Sequence, residues 1–185
     1  MSEPARHSHD HLTADVLVVG IGNLVRGDDG AGILAARLLQ DKQLPGVAVM
    51  ELQGDGTSLI DLWKAASTVM VIDAISSRSA PGTIVCIDAL TQDLPEAWSL
   101  SSTHSFGLRE AIELARALGN LPKRLIVYGI EGAQFATGTG LSSQVEQAVF
   151  SLVDTIIHDI MGMTQRCYAE FRIRLHSPTI YRGGQ

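Results

Sequence analysis

Residues 16–32 read VLVVGIGNLVRGDDGAG, an apolar run that passes through glycines into two adjacent acids and then into a helical pattern. Val16 to Val19 are β-branched-rich and uninterrupted by polar residues, which suits a strand buried on both faces, as in parallel sheets covered by helices. The loop after such a strand opens at the sheet's carboxyl edge, where connections fan apart and leave a crevice for ligands. Asp28 and Asp29 are therefore expected where chemistry takes place.

The rest of the chain repeats this alternation. Ala31, Leu34, Ala35 and Leu38 recur at helical spacing until Pro45, and strands are expected at 47–52, 68–72, 83–87 and 125–128. The polar turn Gly54-Asp55-Gly56-Thr57 opens a helix over 58–66, and Pro81-Gly82 turns the chain into the fourth strand, close enough to the third to be its hairpin or edge partner. Irregular residues 88–102 lead to Thr103-His104-Ser105, then to a helix carrying Leu108, Ala111, Ile112, Ala115 and Leu118, with Gly119 as its stop. The last helix has the clearest stripe, from Val145 to Ile160, with Ser143 and Glu146 spaced as a capping box. Strands alternating with helices imply an α/β three-layer sandwich, a twisted and mostly parallel five-stranded sheet between helices. One domain over 14–162 is expected, with a polar arm at 1–13 and a tail at 163–185.

Composition removes several classes of function. A net charge of −6 over 185 residues lacks the clustered Lys and Arg that hold a phosphate backbone, so no nucleic-acid partner is expected. Apolar runs are strand-sized and the N-terminus is polar, so neither a membrane span nor a secretory signal is expected, and the default location is cytoplasmic. Cys86 and Cys167 form neither a disulfide framework nor a zinc spacing and read as free thiols. His7, His9 and His11 belong to the arm and His158 falls off its helix's apolar stripe, so none of these is assigned to a site.

Asp29, Asp73 and His104 all follow strands or open helices, so the fold plan can bring them together at the carboxyl edge. Two carboxylates and a neutral imidazole suit nickel, zinc or iron. A helix N-terminus at His104 disfavours imidazolium and keeps a ring nitrogen available. One helix cap cannot use two carboxylates, so Asp28 is expected as the cap, or else as a catalytic base, and Asp29 as the ligand. A dinucleotide-binding oxidoreductase is the main rival, since Gly20 and Gly22 follow the first strand and Glu51 ends the second. Against it, Val25 replaces the third glycine and two acids occupy the helix start that would hold a pyrophosphate. No GxSxG elbow marks a serine hydrolase. A non-catalytic metal-binding scaffold is the remaining alternative.

GIGNLVRGDDGAG, VMVIDAISS, STHSFGL and VYGIEG, in that order and spacing, resemble the hydrogenase maturation endopeptidases that process the large subunit of nickel-iron hydrogenases. The resemblance covers about residues 15–160. It implies a peptidase that removes the C-terminal extension of the large-subunit precursor after nickel insertion. Metal-binding positions would be Asp29, Asp73 and His104, the nickel would come from the precursor and no organic cofactor is implied. The first ligand is often Glu in the family and is the shorter Asp here. The family's Asp-Gly-Gly-Thr turn is Gly54-Asp55-Gly56-Thr57 in this chain, which leaves Asp55, Gly56 and Thr57 as the expected substrate-binding residues. Nickel would serve as a recognition element, and either the metal activates water or Asp28 acts as base. The glycines of the first loop are expected to leave backbone room for a protein tail, and the chain is expected to act as a monomer.

Overall fold

The structure, a computed structural model, describes residues 14–53, 56–96, 98 and 107–162. Its strands are β1 (Ala14–Ile21), β2 (Val47–Leu52), β3 (Ala66–Ile75), β4 (Ile84–Asp88) and β5 (Arg124–Glu131). They form one sheet in the order β2-β1-β3-β5-β4. The β1–β2, β1–β3 and β3–β5 pairs are parallel, and β4 runs antiparallel to β5. The helices are α1 (Ala31–Asp41), α2 (Gly56–Leu62), α3 (Leu108–Ala117) and α4 (Ser143–Gly162).

Alternation along the central strands builds two cores. Leu17, Val19, Val69, Val71, Leu125 and Val127 face α2 and α3, while Val18, Met70, Ile72, Ile126 and Tyr128 face α1 and α4. Burial of each such Val, Leu or Ile is worth about 1.5–3 kcal/mol, enough collectively to hold helices on both faces. The expected three-layer arrangement is therefore present. Among the described residues, no helix is long and apolar enough to cross a membrane.

Four local expectations are corrected. First, β4 pairs with β5 rather than β3, because the edge of β3 is taken by β5 in a register running from Thr68–Arg124 to Ile75–Glu131. Second, β3 continues through Asp73 to Ile75, so that acid sits within the strand and not in the loop beyond it. Third, neither Asp28 nor Asp29 caps α1, which follows a 3-10 turn over Gly27–Gly30 with no side-chain cap bond. Fourth, the capping box of α4 does not form: Ser143 Oγ bonds Gln144, and Glu146 N donates to Ser142 O.

The glycines of the opening motif also differ from expectation. A Cβ on Gly20 would collide with the carbonyl oxygen of Gly32 and with Ala36, and one on Gly32 would strike the carbonyl oxygens of Ile21 and Ile72. They are spent on seating the first turn of α1 directly upon β1 and β3. Gly22, at φ +145°, lets the loop double back so that Asn23 N donates to Asp29 O at 3.1 Å. The space is filled by the protein itself.

Candidate active site

The tight seat of α1 brings the acidic turn against the carboxyl half of β3. Asp73, in register with Gly129 of β5, lies close enough to Asp29 for the two charges to interact. Removal from solvent, then the neighbouring charge of Asp29, push the Asp73 carboxyl up to about 8, against a backbone N–H bond from Ala74 that favours ionisation. Near neutral pH this carboxyl therefore keeps its proton, which a divalent cation can displace. Asp29 is mostly enclosed, and Arg26 Nη1 stands 3.5 Å from its Oδ2.

Asp28, the adjacent acid, is fully buried and differently equipped. Its Oδ2 accepts from Ala133 N at 2.7 Å, Gln134 N at 2.9 Å and Ser142 Oγ at 3.0 Å, and its Oδ1 from Ser142 N at 2.6 Å. Burial alone would raise its pKa, but these donors outweigh it and hold the carboxyl below its ordinary 3.8. A carboxylate so placed is a weak proton acceptor, already occupied by its own chain. This occupancy weighs against the expected alternative in which Asp28 is the catalytic base.

Of the other expected residues, His104 and Asp55 lie outside the described residues. Gly56 and Thr57 open α2. Among the described residues no three His, Cys, Asp or Glu side chains gather as a metal cluster, so Asp29 and Asp73 are the two expected ligands that the structure brings together. Glu51, the ribose-binding acid of the rival hypothesis, is engaged by Arg37 through Nε–Oε1 at 2.9 Å and Nη2–Oε2 at 3.0 Å.

One acid at this edge escaped sequence reasoning. Glu131, only 2% exposed, ends β5 and accepts from Ser77 N at 2.8 and 3.0 Å and from Ser77 Oγ at 2.6 Å. The available signal was the one that singled out Asp73, an ionisable residue closing an apolar strand run at the carboxyl edge.

The sequence pattern of a family described as HycI, hydrogenase maturation protease, matches residues 33–159. The chain is 32% identical over 155 residues to a putative hydrogenase maturation protease of Methanocaldococcus jannaschii, the match covering 79% of this chain and 96% of that protein. It is 29% identical over 145 residues to the hydrogenase expression/formation protein HupD of Thiocapsa roseopersicina, covering 76% of this chain. It spans 65% of that relative's length, just under two thirds. In fold it is similar to the hydrogenase maturating endopeptidase HybD of Escherichia coli, with a TM-score of 0.66, 23% identity, and coverage of 80% of this chain and 93% of that one.

Proposed function

The chain belongs to the hydrogenase maturation protease family, and on that premise we propose that it is an endopeptidase acting on a nickel-iron hydrogenase large-subunit precursor. It removes the C-terminal extension after nickel has been inserted. The observation that carries this proposal is the juxtaposition of Asp29, from the turn before α1, with Asp73, from within β3, at the sheet's carboxyl edge.

A proton shared near this pair and a divalent cation compete for the same carboxylates. Nickel held by the precursor would therefore displace the proton of Asp73 and take both carboxylates as oxygen donors, with His104 as the expected nitrogen donor. A precursor without nickel brings no cation to displace that proton and is not clamped. The metal is thus part of the substrate, and its presence is what is checked. With Asp28 occupied by donors from its own chain, a carboxylate of the Asp29–Asp73 pair would take the proton of the attacking water, whose pKa nickel, when present, would lower. The peptide bond breaks as water adds to its carbonyl carbon, and the departing amine takes a proton. No organic cofactor enters this chemistry.

Purified protein is mixed with nickel-loaded and with nickel-free precursor, and the C-terminal mass loss is followed by mass spectrometry. Cleavage of the loaded form alone is expected. Equal cleavage of both contradicts nickel checking, and cleavage of neither favours a non-catalytic maturation scaffold.

A further inference from the structure

Asp28 and Glu131 are acids with almost no exposure, 0% and 2%, and the function proposed above uses neither as a ligand. One short piece of chain holds Glu131 and two of the donors to Asp28. Residues 131–134 leave β5 and meet the turn bearing Asp28 and Asp29 on one side and the chain that follows Asp73 on the other. On one side, Ala133 N and Gln134 N donate to Asp28, and Asp28 N returns a bond to Gln134 O at 2.8 Å. On the other, Glu131 takes both donors of Ser77, four residues beyond Asp73, and Gly132 N donates to Ile75 O at 2.9 Å.

We propose that residues 131–134 form a brace that sets the separation of Asp29 and Asp73, with Asp28 and Glu131 as positioning residues. The turn bearing Asp29 is further tied to the chain just beyond this stretch by Gly27 N to Thr139 O at 3.1 Å and Gly138 N to Val25 O at 2.7 Å. Ser142, immediately before α4, gives both its N–H and its hydroxyl to Asp28, so the helix start is locked into the assembly. Carboxylates suit this work because each offers several lone pairs to loop N–H groups that burial has cut off from water. Neutral side chains offer fewer acceptors, and the turns would be free to separate. Displacement of either acid by a fraction of an ångström alters how a metal and a scissile bond are held, whereas binding of the remote precursor surface is unaffected.

This brace deepens the endopeptidase proposal and rests on it for its kinetic test. Ser77→Ala and Ser142→Ala each delete one hydroxyl donor and leave the backbone bonds in place. Each is expected to lower kcat on nickel-loaded precursor about 10-fold with KM changed less than about twofold, and Ser→Thr at the same position to restore kcat. Unchanged kcat in both Ala variants, or losses confined to KM, overturns the brace. A second readout needs no cleavage: hydrogen exchange of the full chain in Asp28→Asn, or in Ser142→Ala should the former not fold. Amides of 27–30 and 133–142 are expected to gain exchange together. Faster exchange in 27–30 alone overturns the brace. If the wild type cuts no precursor, the endopeptidase proposal fails and the exchange result still decides the brace.

Discussion

Asp28 and Asp73 are the same residue type at the same edge of one sheet, yet their surroundings drive their protons in opposite directions. Around Asp28, burial is met by three backbone N–H groups and a hydroxyl, and the carboxyl is held below its ordinary value. Around Asp73, loss of solvent is met by one backbone bond and made worse by Asp29, and the carboxyl is pushed up to about 8. Burial is common to both, so the count of donors and the sign of the nearest charge decide the outcome. An acid whose acceptors are filled by its own chain builds structure. An acid left with a like charge beside it is available to a cation.

The largest test of this contrast is Asp73→Asn. The amide keeps the shape and removes the acid, so cleavage of nickel-loaded precursor is expected to fall more than about 100-fold while circular dichroism stays native. Wild-type cleavage by this variant would place the chemistry elsewhere.

Asp28→Ala should act on stability instead. It strands several buried donors at once, and denaturant unfolding is expected to lose about 2–4 kcal/mol. A loss well under 1 kcal/mol would mean that those donors find other partners and that the contrast is overdrawn.

Linkage gives a third, graded effect. The raised pKa of Asp73 means that the folded chain binds more protons than the unfolded one between about pH 4 and 8. Its contribution to stability is therefore complete at the acid end and is lost as pH rises through that window, with a slope of at most about 1.4 kcal/mol per pH unit. Asp28 has the reverse sign, its contribution being lost as pH falls through a folded-state pKa below 3.8. Unfolding curves from pH 4 to 8 should slope downward in the wild type and flatten in Asp73→Asn. Parallel curves in the two proteins would remove Asp73 as the cause.

The smallest effect is expected at Glu51. Its partner Arg37 lies on the exposed side of α1, so Glu51→Gln should leave cleavage unchanged and shift the thermal midpoint only slightly. Addition of NAD should not raise the midpoint of either form. A clear rise would revive the dinucleotide-binding alternative, since a ligand of the native state must stabilise it.

Much of the architecture was legible because it depends on local patterns. The apolar run at 47–52 matches β2 in both bounds, and the stripe from Val145 to Ile160 matches α4. Where the outcome depended on distant partners, local patterns were insufficient. The 76–83 link is short enough for a hairpin, but β5, more than thirty residues later by sequence number, takes that edge of β3. Asp28 resembles a helix cap from its neighbours alone, while its true donors lie 105 to 114 residues away. The glycines of GIGNLVRGDDGAG signal close backbone approach, and only the fold reveals that the approaching group is α1 against β1 and β3. Asp29 and Asp73 were legible as a pair because both follow from one rule, the carboxyl edge of a parallel sheet.

The contrast between the two acids is tested most directly by following the side-chain carboxyl carbons of aspartate by NMR across pH, with Asp28→Asn and Asp73→Asn used for assignment. The Asp73 signal is expected to titrate near pH 8 and the Asp28 signal to remain that of a carboxylate down to below pH 3.8. Titration of Asp73 in the ordinary carboxylate range, or of Asp28 above it, would contradict the division between an acid that holds the fold and an acid held ready for a cation.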